Sequence, residues 1–326
     1  MIRITELRLA VDHAPSELED AILKRLAISA KDLLAFSVFK RSYDARKNTA
    51  LSFIYTIDVS VKEEEAVLKR YAHDEHVRPS PDTSYHFVIK APLDLKRRPV
   101  VIGFGPCGIF AALILAQMGF KPIVLERGKP VRERTQDTWG LWRKKILNPE
   151  SNVQFGEGGA GTFSDGKLYS QIKDPKFYGR KVIEEFIKAG APEEIAYVAK
   201  PHIGTFRLVG MVEKIRQEII DLGGEIRFQQ KVISFDIQGG QLRGLRLESG
   251  EVVEADHVVL ALGHSARDTF KALHQAGVYI EPKPFSVGFR IEHPQSLIDK
   301  ARLGPHAGNP LIGAADYKLV HHAKNG

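Results

Sequence analysis

The feature that most constrains the fold is a glycine-rich turn between a short apolar strand and an apolar helix. Residues 100–102 read Val-Val-Ile, which is typical of a buried parallel strand, and the six residues from Gly103 to Gly108 have the spacing G-x-G-x-x-G. An apolar helix is predicted over 109–118, and a second strand over 123–125 is followed by Glu126. This order of elements predicts a Rossmann-type dinucleotide-binding unit.

Each glycine of the turn has a separate predicted task beside a dinucleotide. Gly103 allows the tight turn, Gly105 lets the backbone approach a pyrophosphate, and Gly108 lets the helix pack closely on the strand. The pyrophosphate is expected at the N-terminus of the helix, where unpaired N–H groups and the helix dipole attract anions. Glu126 is expected to accept hydrogen bonds from the ribose hydroxyls of the adenosine half.

The turn alone does not distinguish FAD from NAD, but three further features favour FAD. The run Glu126-Arg127-Gly128 ends the second strand, and a long segment without clear periodicity follows it. That segment contains the glycine-dense run 156–161, where bare backbone can lie against a large flat cofactor. After a β-rich insertion, a buried strand over 258–262 closes on Gly263. The alternative interpretation of 156–161 is a flexible loop.

The predicted FAD contacts come from these segments and from the start of the insertion. They are Gly103, Gly105, Pro106, Cys107, Gly108, Glu126, Arg127, Gly128, Gly158, Gly159, Ala160, Gly161, Val232, Ala261 and Gly263. NADH or NADPH is considered as an electron donor. No metal site is predicted, because the histidines show no metal-ligand spacing.

The catalytic residues stay open, since no nucleophile–base pair stands out. Asp165 and Lys167 follow the glycine run and are candidates to face the flavin, where Lys167 would stabilise the reduced ring by its charge. His202 and His264 are candidate proton donors or substrate contacts. Arg290 is a candidate for binding an anionic substrate. Each of these residues also has an ordinary structural interpretation.

Cys107 is the single cysteine of the chain and lies at the predicted helix N-terminus. That position can depress the pKa of a thiol. The favoured interpretation is nevertheless that the turn requires a small residue here for packing. A redox-active disulfide within the chain is excluded, and one cysteine suits a reducing cytosol.

The first 95 residues predict a small α+β domain with the order β-α-β-β-α-β, which is a ferredoxin-like pattern. The predicted elements are a strand over 2–9, a helix from Pro15, strands over 34–43 and 51–61, a helix over 63–71 and a last strand over 85–90. The predicted domains are therefore 1–95, a Rossmann-like FAD-binding α/β domain over 96–280, and the start of a substrate or cap domain over 281–326.

The charge distribution argues against nucleic acid as a partner. The formal net charge is +7, but residues 1–98 hold 17 basic and 15 acidic side chains, so the excess is spread along the chain. No run approaches the ~20 apolar residues that span a bilayer, and a cytoplasmic location is predicted. The substrate is expected to be a small molecule, and the oligomeric state stays open.

Three runs resemble a bacterial family of uncharacterised FAD-dependent dehydrogenases. They are Gly158-Gly159-Ala160-Gly161-Thr162-Phe163-Ser164-Asp165-Gly166-Lys167-Leu168, Ser42-Tyr43-Asp44-Ala45-Arg46-Lys47 and Lys200-Pro201-His202-Ile203-Gly204-Thr205. The resemblance implies a small N-terminal domain before a glutathione-reductase-type FAD domain. It also implies FAD binding and redox chemistry, without a substrate. Such flavoproteins usually finish with a glycine-rich turn that is absent here, so a C-terminal portion is expected beyond Gly326.

The function predicted from the sequence is that of an FAD-dependent oxidoreductase, a dehydrogenase that passes a hydride through its flavin. Two alternatives stay open. One is a flavin-dependent RNA-modifying enzyme, and the other is a non-catalytic flavin-binding scaffold. Reduction of bound flavin by NADH or NADPH distinguishes the scaffold from an enzyme.

Overall fold

The computed structural model describes residues 1–45, 51–164, 166–168, 172–284, 288–289, 291–317 and 321. Two of the candidate residues, Asp165 and Arg290, lie outside the described residues. The chain forms two compact units. The first contains Met1–Asp82, Ala196–Ala199 and Pro284–Gly326, and the second contains Thr83–Ile195 and Lys200–Lys283.

The first unit contains a four-stranded antiparallel sheet and two helices from its N-terminal part. The elements are β1 (Ile2–Ala10), α1 (Pro15–Leu26), β2 (Leu33–Asp44), β3 (Ser52–Val61), α2 (Glu64–Arg70) and β4 (Val77–Pro79). The strand order is β2-β3-β1-β4, so the β-α-β-β-α-β prediction of an antiparallel α+β domain is confirmed. Its core lies where one face of the sheet meets the helices, with Ile4, Ile22 and Ile57 fully buried.

The prediction of a last strand over 85–90 is wrong. The fourth strand is β4, which lies earlier in the chain and places Val77 opposite Ile4. Residues 85–90 contain no strand. Their aromatic alternation has another cause, because the rings of Tyr85 and Phe87 contact each other at 5.1 Å between centroids, and Tyr85 also contacts Tyr178 at 5.9 Å.

The second unit is built on a parallel sheet. Its elements are β5 (Val100–Ile102), α3 (Pro106–Gln117), β6 (Ile123–Glu126), α4 (Val131–Lys144), α5 (Tyr178–Lys188), α6 (Thr205–Asp221), β7 (Glu225–Phe228), β8 (Val232–Gln238), β9 (Gln241–Leu247), β10 (Val252–Glu254), β11 (Val258–Leu260) and α7 (Arg267–Gln275). The parallel order is β11-β5-β6-β7, and β10-β9-β8 form an antiparallel sheet. The predicted Rossmann-like α/β fold with a β-rich insertion is confirmed.

The two central parallel strands, β5 and β6, are buried on both faces, as central strands in a three-layer α/β fold are. Val101 and Val124 lie in one apolar cluster with residues of α3 and α6. Val100, Ile102 and Leu125 lie in a second cluster with residues of β8, β9 and β10. Successive side chains of a strand point to opposite faces, so one short apolar run serves both clusters.

Helix α4 lies in the segment that the sequence shows as aperiodic. Its buried residues are Val131, Arg134 and Thr138, which have helical spacing. Because two of these three are polar, the apolar periodicity that indicates a helix is missing from the sequence. The sequence pattern therefore does not predict this helix, which carries the buried Arg134.

Residues after 284 group with the first unit. Helix α8 (Gln295–Leu303) ends at a fully buried leucine, Leu303, which lies in the same core cluster as Ile2 and Ile4. The predicted domain boundaries lie at 95 and 280; the compact units divide after Asp82 and after Lys283, and Ala196–Ala199 also belong to the first unit. Among the described residues, no helix has the length and apolar character needed to cross a membrane.

Candidate functional site

A pocket of about 280 Å³ opens at the carboxyl ends of the parallel strands. Its wall includes Ile102 at the end of β5, residues from Leu125 to Arg127 at the end of β6, and residues from Ala261 to Ala266 after β11. Ligands of open α/β sheets bind at this edge, where loops follow the strands. The second unit therefore has a cavity at the edge of the sheet where proteins of this fold class bind ligands.

Most of the predicted cofactor contacts line this pocket. The lining includes Gly103, Gly105, Pro106, Cys107, Glu126, Arg127, Gly159, Ala160, Gly161, Val232, Ala261 and Gly263. The other three, Gly108, Gly128 and Gly158, lie outside the lining. The structure thus brings together segments that are more than 150 residues apart in the chain.

The three glycines of the turn are constrained in different ways. Gly103 has a φ of +95°, and a Cβ atom there would lie 2.5 Å from the carbonyl oxygen of Ala261. A Cβ atom on Gly108 would lie 1.9 Å from the carbonyl oxygen of Gly103, so α3 could not approach β5 with any side chain there. At Gly105 the nearest atom to an added Cβ is the Cα of Gly159, at 3.5 Å. Gly103 and Gly108 therefore leave no space for a Cβ atom, whereas Gly105 does.

Gly128 and Gly158 support the loop that forms another wall of the pocket. A Cβ atom on Gly128 would lie 2.5 Å from the Cα of Gly156, and one on Gly158 would lie 2.0 Å from Oγ1 of Thr162. Gly158 also has a φ of +83°. These glycines contribute to the shape of the loop and do not line the pocket, and their predicted contact with FAD stays a prediction.

Glu126 has more protein partners than the sequence predicts. Its side chain is buried, and Oε2 accepts a hydrogen bond from the Phe104 amide at 2.7 Å. Oε1 accepts from the amides of Gly128 and Gly156, at 2.8 and 3.0 Å. A carboxylate has about four acceptor positions, and these three hydrogen bonds use three of them. Glu126 therefore joins three loops as well as lining the pocket.

Arg134, on α4, is the main residue that the sequence did not reveal. It is the largest fully buried side chain among the described residues. Its guanidinium donates to the carbonyl oxygens of Asn152, Val153, Glu157 and Gly159 at 2.7 to 2.8 Å, and to Oγ1 of Thr162 at 3.3 Å. All these acceptors belong to the loop 152–162, so one side chain fixes a loop that lines the pocket.

The charge of Arg134 lies near two buried carboxylates without a hydrogen bond to either. Burial lowers the pKa of Arg134 to about 10, and the nearby charges of Glu126 and Glu157 partly offset this effect. Glu157 is itself fully buried and accepts from the Val131 amide at 2.7 Å and from Arg216 at 2.8 Å. Arg134 therefore stays protonated at neutral pH.

A cluster of charged residues closes one end of the pocket. Arg127 donates two hydrogen bonds to the carboxylate of Asp268, at 2.8 and 2.9 Å, and one to Glu150 at 2.6 Å. Its guanidinium also lies over the ring of Phe155, 4.2 Å from the centroid. Lys231 lies 2.8 Å from Glu150 and 3.3 Å from Asp268. The two cations are thus neutralised by protein carboxylates.

The pKa values in this cluster follow from these contacts. Burial disfavours the charged form of Arg127, but the hydrogen bonds to Asp268 and Glu150 outweigh this effect and raise its pKa. The hydrogen bonds from Arg127 hold the pKa of Asp268 well below its usual range. The cluster therefore remains fully ionised across the neutral range, and it ties β6 to α7.

The catalytic candidates among the described residues, Lys167, His202 and His264, lie in two places. His264 lines the pocket, and its Nδ1 lies 2.8 Å from Oγ of Ser265. Lys167 and His202 are exposed, lie outside the pocket lining, and form an antiparallel bridge directly opposite each other. The backbone hydrogen bonds on either side of this bridge are both 3.0 Å long. Two residues separated by 35 positions are thus neighbours.

The packing interpretation of Cys107 is wrong. Its side chain is exposed and lines the pocket instead of packing into the protein. The residue that the turn requires to be small is Gly108, next in sequence, because that residue faces the turn itself. Within the described residues, no group of three His, Cys, Asp or Glu side chains is arranged to hold a metal ion.

Comparisons with protein families match the chain in three segments. Residues 97–287, more than half of the chain, match the model of the pyridine nucleotide-disulphide oxidoreductases. Residues 284–326 match the C-terminal domain-like segment of FAD-dependent proteins, and residues 1–60 match a domain of unknown function. The central match contains every residue that lines the pocket.

A curated relative and two solved structures are also similar to the chain. An uncharacterised protein of Clostridium beijerinckii is 43% identical over 323 residues, which is 99% of this chain and 60% of that protein. L-proline dehydrogenase from P. horikoshii aligns at 16% identity over 57% of both chains, with a TM-score of 0.39. Glycine oxidase from Bacillus cereus aligns at 15% identity over 56% of this chain and 59% of its own, with a TM-score of 0.30. At such TM-scores, no activity is transferred from either structure.

Proposed function

The chain belongs to the pyridine nucleotide-disulphide oxidoreductase family, and from this membership and the pocket we propose that it is an FAD-dependent oxidoreductase. Its family is one of FAD- and NAD(P)-binding oxidoreductases. The observation that carries the finer proposal is the pocket at the carboxyl ends of β5, β6 and β11. Its walls contain Gly105 of the glycine turn, the buried carboxylate of Glu126 and the glycine-rich residues 159–161.

The residues present fit the adenosine diphosphate half of FAD. Gly105 leaves the backbone bare at the start of α3, where a pyrophosphate gains from free amide groups. Glu126 has one acceptor position left for a ribose hydroxyl. Gly159 and Gly161 leave the opposite wall without side chains. These residues would hold the cofactor between the turn and the loop.

Bound FAD would supply hydride transfer, accepting two electrons from a reduced donor and passing them to an acceptor. The protein's part is to orient the cofactor and to place charge near it. NADH or NADPH is the donor that we propose, because the family includes NAD(P)-binding enzymes. The chain spans 60% of the length of its curated relative, so the acceptor and the substrate are not assigned.

The proposed activity is tested by mixing the FAD-loaded protein with NADH or NADPH under anaerobic conditions. We expect the visible absorbance of the flavin to bleach with one of the two nucleotides, and oxygen or a dye to restore it. Flavin that stays oxidised with both nucleotides would favour the scaffold interpretation. FAD that never binds would refute the cofactor assignment itself.

Replacing Gly105 with alanine is expected to weaken FAD binding without harming the fold. Gly105 has a φ of −78°, which alanine adopts readily, and the added methyl group meets no protein atom closer than 3.5 Å. The methyl group would occupy the approach of the pyrophosphate, so we expect affinity to fall by about tenfold or more. Fluorescence titration with FAD measures this change.

The matched control is Gly140→Ala, within α4, where an added Cβ meets nothing within 4 Å. It changes the same residue type outside the pocket, so FAD affinity should stay at the wild-type value. Equal affinity of the Gly105 variant and the wild-type protein would place the pyrophosphate elsewhere.

The bridge between Lys167 and His202 is our candidate for the flavin side of the site. The chain runs from the pocket-lining residues 159–161 to this bridge within a few residues, so the charge of Lys167 is expected to stabilise reduced flavin. Lys167→Met should therefore lower the reduction potential of the bound flavin. Lys173→Met, an exposed control with the same charge change, should leave it unchanged. Equal potentials in all three proteins would remove Lys167 from the site.

A further inference from the structure

We propose that Arg134 is a positioning residue of the cofactor site, a buried cation that shapes the loop 152–162 so that its peptide N–H groups serve the bound cofactor. The inference rests on the proposed function, since the ligand it serves is FAD. Arg134 does not line the pocket, so it would act through the loop and not by contact.

The first observation is that a full charge is buried against neutral hydrogen-bond acceptors. Arg134 is fully buried, and every hydrogen-bond acceptor recorded for it is neutral, namely four carbonyl oxygens and one hydroxyl. Removing a guanidinium from water costs several kcal/mol, and a buried ion pair is often no more stable than an apolar replacement. The hydrogen bonds to the loop are therefore what offset the cost of burying this charge.

The second observation is that the loop is wrapped around this side chain. Four carbonyl acceptors lie on both sides of Gly156 in the chain. Asn152 and Val153 come before it, and Glu157 and Gly159 come after it. Between them, Gly156 has a φ of +116°, and a Cβ atom there would lie 2.4 Å from Cδ of Arg134. The glycine at 156 and the arginine at 134 are thus matched, and the path of the loop is set by both.

The third observation concerns the direction of the peptide groups. Because the carbonyl of Gly159 points at Arg134, the N–H of Ala160 in the same trans peptide points away from it. Ala160 and Gly161 line the pocket, whereas the N–H of Gly159, which begins the short helical turn Gly159–Phe163, donates to the Gly156 carbonyl at 3.0 Å. Arg134 would thereby orient the Ala160 amide, which belongs to the pocket wall, for the bound cofactor.

The loop is also held from its other side by an anion. Glu126 accepts from the Gly156 amide, while Arg134 donates to the carbonyl of the next residue, Glu157. The loop therefore lies between a buried carboxylate and a buried guanidinium that do not bond to each other. A ligand bound to Glu126 would be coupled to the loop through this arrangement.

The test compares Arg134→Met with Arg132→Met, two positions away on α4. Arg132 is exposed and donates two hydrogen bonds to Glu213, so the control removes the same charge from the same helix. We expect FAD and ADP to bind the Arg134 variant at least about tenfold more weakly, since several carbonyls lose their fixed donor. The Arg132 variant should bind both ligands as the wild-type protein does.

A third variant, Arg134→Lys, separates positioning from bulk stability. A lysine keeps the charge but cannot reach four carbonyls, so partial recovery of FAD affinity is expected, between the wild-type and Met values. With FAD bound, hydrogen exchange at the Ala160 and Gly161 amides should be faster in both Arg134 variants. Folded Arg134 variants that bind FAD with wild-type affinity would overturn the inference, as would an equal loss in Arg132→Met. If the Met variant does not fold, wild-type affinity in the Lys variant alone overturns it.

Failure of the proposed function gives a different binding result from failure of this inference. It shows in the wild-type protein, which would bind neither FAD nor ADP before any variant is made. In that case the inference falls with the function on which it rests. When the wild-type protein binds both ligands, only the variants decide the role of Arg134.

Discussion

Alanine in place of Gly108 is expected to destabilise the second unit by about 3 kcal/mol and to abolish FAD binding. The added Cβ would lie 1.9 Å from the carbonyl oxygen and 2.8 Å from the carbonyl carbon of Gly103, which are backbone atoms of the same turn. No side-chain rotation relieves such an overlap, so α3 must move away from β5. That shift would open the turn that is proposed to hold the pyrophosphate.

A glycine-to-alanine change at another helical position serves as the control for the size and sign of this effect. Gly210 lies within α6, and a Cβ atom there would meet nothing within 4 Å. Gly210→Ala should therefore stabilise the protein by about 1 kcal/mol, because alanine is the better helix former. Urea unfolding of both variants without FAD measures the two free energies. Similar stability of the two variants would contradict the packing described at Gly108.

Removing the carboxylate of Glu126 is expected to have the second large effect. In Glu126→Ala, the buried amides of Phe104, Gly128 and Gly156 lose their common acceptor. An unsatisfied buried donor costs about 1 to 3 kcal/mol, so we expect a loss of about 3 kcal/mol or more in unfolding free energy. FAD affinity should fall as well, since the proposed ribose acceptor is gone.

Two further variants make the Glu126 prediction specific. Glu126→Gln keeps the shape of the side chain, but its amide nitrogen must face at least one of the three backbone donors, so it should also be destabilised. Glu133→Ala, an exposed residue in the first turn of α4, should change stability by no more than about 0.5 kcal/mol. A Glu126→Gln protein as stable as the wild type would show that the three hydrogen bonds contribute little.

Short sequence patterns were enough to predict the glycine turn and the parallel strands. The tasks of Gly103 and Gly108 follow from spacing, because the turn, the strand before it and the helix after it are contiguous. The sequence does not predict the short β4, because three residues are too few to show the alternation of a strand. The aromatic run at 85–90 shows a stronger alternation and is predicted as the strand instead. The sequence also predicts the insertion as a β-rich segment before the strand that closes on Gly263.

The parts of the site that could not be predicted depend on contacts between distant residues. Arg134 looks in the sequence like any charged residue of a polar helix, and only its partners in the loop 152–162 reveal its burial. The three amides bound to Glu126 likewise come from separate segments. A signal for Arg134 did exist, in the helical spacing of Val131, Arg134 and Thr138, but it is not an apolar one.

The most direct test of the central claim is a titration of the purified protein with FAD, followed by competition with ADP. If the pocket at the carboxyl ends of β5, β6 and β11 holds the adenosine diphosphate half, FAD binds at one site per chain, ADP displaces it, and Gly105→Ala weakens both. A protein that binds no FAD would contradict the account. So would FAD that ADP fails to displace and that Gly105→Ala leaves unaffected.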